Sequence, residues 1–194
     1  MGRTPALLTL VAAIATITMS ATAATAAAPA TPAGLGAARL EGPFLLAGRV
    51  TLAKLVPGER VGQLVSRTWT FTPACATGAC DTIRLVRQRE TGSDRVTLHR
   101  GKPGYYVGKG TFFAPLRCAK RVYPNGAAVP FTITVQVTAA LQTPTDLVAS
   151  RVNATYVNLS RRNLTPCVGV LGHDAAVYHG HLLLGPPPTG GAGA

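Results

Sequence analysis

The chain has 194 residues, of which 19 are Lys or Arg and only 7 are Asp or Glu, so its formal net charge at pH 7 is +12. This length fits one domain between flexible ends, and the positive charge favours an anionic partner. So few carboxylates, with no G-x-S-x-G, H-E-x-x-H or phosphate-loop motif, predict a protein that is not an enzyme and needs no cofactor.

The first 28 residues have the pattern of a secretory signal peptide. Arg3 gives the positive start, residues 5–19 form the apolar segment, and an Ala/Thr-rich run after Ser20 offers small-residue cleavage sites. The apolar segment is shorter than the roughly 20 residues that span a bilayer, and no later run reaches that length. We therefore expect a secreted, extracellular protein whose mature form has no transmembrane segment.

Three further segments complete the predicted organisation. Residues 29–36 read as a flexible linker, residues 37–184 as a single all-β domain, and residues 185–194 as a disordered tail. The linker and the tail contain too few large apolar groups to offset the entropy of ordering them. The domain between them is long enough to bury a core of its own without a metal.

The predicted domain alternates apolar and polar residues in short runs, with Gly, Pro, Asn or Asp between the runs. In residues 64–72, Val65, Arg67, Trp69 and Phe71 share one face while Ser and Thr residues line the other. A period of two is typical of strands that are buried on one side. The other predicted strands are residues 44–55, 82–89, 95–100, 105–116, 131–138, 147–159 and 175–184.

The links between these strands are short, as in residues 90–94 and 100–104, so sequential strands should pair as antiparallel hairpins. About eight such strands predict a closed antiparallel barrel, because closure removes exposed sheet edges. The alternative is a β-sandwich, for which the segments after Cys118 and after Leu159 would supply the long crossovers.

Residues 69–80 read W-T-F-T-P-A-C-A-T-G-A-C. With the signal peptide and about eight strands, the chain resembles the calycins, the lipocalin-like class of secreted eight-stranded barrels, and uncharacterised exported proteins of high-GC actinobacteria. It departs from lipocalins in one respect, since their Gly-x-Trp signature belongs near the first strand. Trp69 lies instead in the second predicted strand, two residues after Arg67. The resemblance implies a barrel that binds a small ligand in its interior.

Four cysteines, Cys75, Cys80, Cys118 and Cys167, lie in the predicted mature chain and allow three disulfide pairings. Spacing favours Cys75 with Cys80 across a hairpin and Cys118 with Cys167 across a long loop. The alternative is a zinc site, but such sites usually bring cysteines in pairs two to four residues apart, and only one close pair exists here. Disulfides are the default in an oxidising compartment.

Basic residues flank the last two cysteines. A bridge between those cysteines would gather five cations at one end of the domain, where they could hold phosphate or carboxylate groups of a polyanion. These five are Arg117, Lys120, Arg121, Arg161 and Arg162. A second basic group lacks the aromatic residues that stack on bases, so we expect no specific nucleic-acid partner. It consists of Arg84, Arg87, Arg89, Arg95, Arg100 and Lys102.

Histidines offer the only other candidate metal ligands. His179 and His181 are two residues apart in the last predicted strand and point to the same face, with His173 and Asp174 just before them. A zinc site would need a further ligand, for which His99 is a candidate. We expect surface histidines and no bound metal.

The charged residue on the apolar face of the second predicted strand suggests a ligand site. If this face lines the barrel, Arg67 needs an aromatic ring, an acid or a ligand headgroup as its partner, unless it reaches water at the strand end. We therefore predict that the protein holds a small apolar or anionic amphiphile near Arg67, Trp69 and Phe71. The alternative is a basic surface protein that docks on acidic cell-envelope polymers, without a cavity ligand.

Overall fold

The structure, a computed structural model, describes residues 34–89, 92–167, 169 and 171–184. The predicted signal peptide, most of the predicted linker and the predicted tail lie outside these residues. One turn of 3-10 helix, Gly34–Ala37, precedes nine strands: β1 (Gly42–Lys54), β2 (Leu64–Pro73), β3 (Thr82–Gln88), β4 (Ser93–Lys102), β5 (Tyr105–Cys118), β6 (Arg121–Gln142), β7 (Leu147–Asn158), β8 (Arg162–Asn163) and β9 (His173–Leu182).

Eight of these strands close into an up-and-down antiparallel barrel. Each strand from β1 to β6 pairs with the next along the chain, β7 also pairs with β9, and β9 pairs with β1. The two-residue β8 adds to the outer part of β6. The predicted antiparallel barrel is thereby confirmed, and the chain is not a sandwich. A closed barrel of this kind is compatible with a lipocalin-like fold.

The interior follows from the alternation of side chains along each strand. Phe44 and Leu46 of β1, Phe71 of β2, and Ile133 and Val135 of β6 are at most 1% exposed and pack in one core. The faces predicted from the period of two in β2 and β6 are therefore correct.

The two ends of the barrel differ. Strands β1, β3, β5 and β7 run toward one end, which we call the open end because a cavity lies there. The other end, which we call the closed end, is covered by the chain before β1. Ala38 and Leu40 of that segment are buried, and Arg39 makes backbone hydrogen bonds with Leu147 and Ala149 at the start of β7.

Strands β5 and β6 continue past the barrel at the open end as a two-stranded arm, residues 113–128. Their pairing runs from Phe113 with Ala128 to Cys118 with Arg121. The sequence suggested a crossover after Cys118, and that suggestion was wrong, because β6 begins after a two-residue turn and returns along β5.

The sequence predicts only residues 131–138 of β6, because prolines such as those in its first half are uncommon within strands. Pro130 is tolerated because β7 pairs with β6 only from Thr132 onward, so no strand faces it on that side. Its carbonyl oxygen instead accepts a hydrogen bond from the side-chain amide of Asn158, which is completely buried at the end of β7.

Two disulfides fix the two ends. Cys75–Cys80 closes the β2–β3 loop at the closed end, and Cys118–Cys167 ties the tip of the arm to the segment after β8. The pairing favoured by spacing is therefore confirmed. Arg39 joins the first bridge to the N-terminal segment, since its Nη2 donates to the backbone oxygen of Cys75 at 3.0 Å.

Among the described residues, no helix is long and apolar enough to cross a membrane.

We expect the two bridges to stabilise the fold unequally. Cys118–Cys167 spans 49 residues and Cys75–Cys80 only 5, so the chain-entropy model assigns about 4 and about 2 kcal/mol to them respectively. Replacing each pair by serines and measuring urea unfolding should show the larger loss for C118S/C167S. An equal or larger loss for C75S/C80S would show that contacts of the short bridge, rather than loop length, dominate.

A candidate ligand site at the open end of the barrel

A cavity of about 450 Å³ lies at the open end of the barrel. The loop between β1 and β2 forms one wall through Val56 and Glu59, and Phe112 at the base of the arm forms another. Four arginines, a carboxylate and two tyrosines also line it, namely Arg67, Arg87, Arg89, Arg161, Asp174, Tyr156 and Tyr178. Polar and charged side chains therefore form much of the cavity lining, above the apolar core.

Asp94 of β4 organises two of the arginines. Arg87 forms a two-pronged ion pair with it, Nε to Oδ1 and Nη2 to Oδ2, each at 2.8 Å. The Nε of Arg89 lies 3.0 Å from the same carboxylate, but it is buried and makes no aligned hydrogen bond with the described residues. Asp94 therefore accepts two hydrogen bonds from Arg87 and interacts with Arg89 only through charge.

Aromatic rings hold the same two guanidinium groups in place. The Arg87 guanidinium carbon lies 4.0 Å from the ring centre of Phe131 and 5.1 Å from that of Tyr156, while that of Arg89 lies 4.3 Å from Phe112. Cations are attracted to ring faces at such distances. Gly110 makes room for Phe131, because a Cβ there would lie 2.5 Å from its ring.

A second ion pair holds Arg161 on the opposite wall. Its Nη2 lies 2.6 Å from Oδ1 of Asp174, and its Nε donates to Oδ1 of the buried Asn158 at 3.3 Å. The side chains of Arg161 and Asp174 are only 14% and 10% exposed. Arg161 is therefore part of the cavity wall and does not project into solvent.

Arg67 lies at the edge of the cavity, on the same face of β2 as the buried Trp69 and Phe71. It is half-buried and donates from Nη1 to the backbone oxygen of Ser66 at 2.9 Å. The four guanidinium groups exceed the three carboxylates of Glu59, Asp94 and Asp174 by one positive charge. The site therefore favours an anion.

The two tyrosines remain neutral hydroxyls at physiological pH. Burial raises the pKa of Tyr156 above its usual range, and the nearby carboxylate of Asp174 adds to that effect. Burial likewise raises the pKa of Tyr178, although the charge of Arg67 acts in the opposite direction. Each hydroxyl can therefore donate a hydrogen bond to a ligand without adding charge.

Trp69 and Phe71, both predicted as ligand contacts, lie below the cavity. Each is 1% exposed, and the ring centre of Trp69 lies 5.5 Å from that of Tyr178, which lines the cavity. The side chain of Tyr178 thus lies between Trp69 and the cavity.

The structure does not bring the five predicted polyanion-binding cations into one cluster. Arg117, Lys120 and Arg121 lie at the tip of the arm, whereas Arg162 lies beside Ala128, seven residues along β6 from Arg121. Arg121 and Ala128 lie opposite Cys118 and Phe113 of β5, so at about 3.3 Å per residue of β5 the backbones of these two arginines are roughly 17 Å apart. Arg161 belongs to the cavity.

The histidines of β9 lie on the outer face of the barrel. His179 and His181 are exposed, and Nδ1 of His179 lies 2.8 Å from the side-chain oxygen of Asn153 on β7. The part of the chain that the structure describes contains no group of three or more His, Cys, Asp or Glu side chains placed to hold a metal ion.

Sequence reasoning missed Arg87 as a site residue, although its signal was the same as that of Arg67. Arg87 lies two residues after Leu85 and four after Ile83, on the apolar face of β3, but we considered it only as a member of the second basic group. Asp174 carried a similar signal, since it alternates with Ala176 and Tyr178 in β9. A charged residue in register with an apolar face marks a polar end of the barrel interior.

The geometry provides donors for an anionic group beside aromatic surface, which is an arrangement for binding. Comparison of the chain with known protein families, with curated proteins and with solved structures found no match.

Asp94→Asn should cost about 3 kcal/mol of unfolding free energy, because it leaves the buried guanidinium group of Arg87 and the partly buried one of Arg89 without a countercharge. The same substitution should cost less in the background of Arg87→Met, where one of those charges is gone. Asp81→Asn is the matched control. Asp81 pairs with Arg100, but its side chain is 82% exposed, so this substitution should cost less than about 1 kcal/mol. Equal losses in urea unfolding for Asp94→Asn and Asp81→Asn would contradict the assignment.

Alkaline pH should destabilise the fold through Tyr156. Its pKa in the folded protein is raised from an unfolded value of 10.0, so its contribution is complete below pH 10 and is lost as the pH rises further. We expect the free energy of unfolding to fall above pH 10, and to fall less steeply in Tyr156→Phe. Identical slopes in the two proteins would contradict this role.

Proposed function

We propose that this is an exported, non-catalytic binding protein that holds a small anionic amphiphile in the cavity at the open end of the barrel. One observation carries the proposal: four guanidinium groups line a single partly enclosed cavity that also presents Phe112, Tyr156 and Tyr178. Membership of the calycins, an actinobacterial origin and secretion by a signal peptide remain predictions. The two disulfides are compatible with an extracellular protein.

The charged head of the ligand fits the arginine side of the cavity. Guanidinium groups bind carboxylates and phosphates through paired hydrogen bonds, and these bonds are stronger than those between neutral groups. Arg89, whose buried Nε makes no hydrogen bond with the described residues, and Arg67, which lies at the edge of the cavity, are the candidates for contact with the head. Arg89 stacks on Phe112, which limits its movement and the entropy lost on binding.

The apolar part of the ligand would lie against Phe112 and the aliphatic wall formed by Val50, Val56 and Val65. The cavity volume falls within the range of roughly 300–1,000 Å³ that is typical of small-molecule sites. Trp69 and Phe71 would support this wall from below, since Trp69 packs on Tyr178.

The alternative function, docking on acidic envelope polymers, rests on the net charge of +12 and on the exposed cations Arg117, Lys120, Arg121 and Arg162. Polymer binding through exposed cations should weaken steeply as salt is added, whereas apolar burial in a cavity is not screened. Salt dependence therefore distinguishes the two functions.

Decanoate is a suitable probe, because it pairs one carboxylate with a short apolar chain. We expect it to change the fluorescence of Trp69, the only tryptophan, which is in contact with the cavity wall. Arg67→Gln and Arg89→Gln should each weaken binding by roughly 10- to 100-fold, the value of a hydrogen bond to a charged group. Arg84→Gln is the matched control, since Arg84 lies on the outer face of β3.

Two outcomes would contradict the proposal. If decanol binds as tightly as decanoate, the cavity does not select an anion. If Arg84→Gln weakens binding as much as Arg67→Gln, the effect comes from net charge and not from the cavity.

A further inference from the structure

Exposed apolar side chains are concentrated at the open end. Of ten large apolar side chains exposed in the described part of the chain, seven lie there. Leu55, Val61 and Leu64 in and beside the β1–β2 loop are 65%, 65% and 74% exposed, and Phe113 and Val122 on the arm are 51% and 49% exposed. Single exposed apolar residues are ordinary, but a group of them on one surface indicates an interaction site.

These residues surround the entrance of the cavity. The β1–β2 loop and the base of the arm both line it, and two further exposed leucines, Leu159 and Leu164, lie in the segment that follows β7. We call the loop, the arm and this segment the rim.

The rim is also strongly basic. Six exposed cations lie on it, namely Lys54, Arg60, Arg117, Lys120, Arg121 and Arg162. The described acidic residues at the open end face inward, because Asp94 and Asp174 are paired with arginines and Glu59 lines the cavity. The closed end differs, since Glu41 and Asp81 are 50% and 82% exposed there.

We infer that the rim docks on a bilayer of anionic phospholipid, with its apolar side chains among the headgroups and its cations on the lipid phosphates. The exposed apolar side chains and the cations together favour this partner over others. A hydrated acidic polymer would use the cations but would offer nothing to Leu64 and Phe113. A lipid surface uses both, and each cation near an anionic surface strengthens binding about fivefold.

This surface goes beyond the proposed cavity function and does not depend on it. Docking would place the entrance of the cavity at the membrane surface, where an anionic amphiphile could pass between the bilayer and the barrel. The exposed leucines, Phe113 and cations of the rim do not line the cavity, and Arg67 and Arg89 do, so each role can be removed separately.

The test is sedimentation of the protein with vesicles of equal parts phosphatidylglycerol and phosphatidylcholine, and with vesicles of phosphatidylcholine alone. We expect strong binding to the anionic vesicles only. K120Q/R121Q should weaken it roughly 25-fold, from two cations at about fivefold each. K102Q/R151Q is the matched control, because it removes the same charge near the closed end and should have a small effect.

The apolar part of the rim is tested by L64S/F113S, with Leu141→Ser at the closed end as its control. L64S/F113S should weaken vesicle binding at least tenfold, and Leu141→Ser should not. Arg67→Gln should leave vesicle binding unchanged, and L64S/F113S should leave decanoate binding unchanged, so failure of one role is distinguishable from failure of the other.

Three results would overturn the inference. Absence of binding to anionic vesicles would do so directly. Loss of binding in K120Q/R121Q without loss in L64S/F113S would show a polyanion surface and not a membrane surface. A native dimer in gel filtration that becomes a monomer in L64S/F113S would show that the rim pairs with a second copy of the chain.

Discussion

Closure of the sheet between β1 and β9 is the constraint on which the rest of the structure depends. It satisfies the backbone hydrogen bonds of both terminal strands and leaves the barrel without a free edge. It also separates the side chains of each strand strictly into inside and outside. Every charged residue in register with an apolar face is then forced into the interior, where it must find a partner or reach one of the two ends.

The two ends resolve this constraint differently. At the closed end, Ala38 and Leu40 cover the barrel with apolar side chains, and Arg39 links this segment to the first disulfide. At the open end, the interior finishes in ion pairs instead, with Arg87 between Asp94 and the ring of Phe131. One end is therefore built for closure, and the other keeps donors for an anion within reach of solvent.

The buried ion pairs of the open end are costly for a structure that needs only stability. Desolvation of two charges commonly offsets their attraction, and apolar residues of similar volume would serve as well or better. The pairs hold their guanidinium groups in fixed directions around a cavity, which is what recognition of a carboxylate or phosphate requires. Because these ion pairs cost desolvation energy without adding stability, they point to a function at this end of the barrel. The basic and apolar rim surrounds the entrance of the same cavity.

By itself the sequence determined the all-β class, most of the strands, the disulfide pairing and the inward direction of Arg67, because a period of two and cysteine spacing are local properties. It also implied the inward position of Arg87, although that signal was not used. The tertiary structure decided which inward charges meet. Arg87 meets Asp94 across a hairpin, but Arg161 meets Asp174 only because the segment after β7 folds back to the start of β9. The prolines of β6 concealed the arm, since Pro130 is tolerated only because β7 does not pair with it, and that depends on how far β7 extends. Pairings and surfaces of this kind depend on closure and strand length, which no single segment encodes.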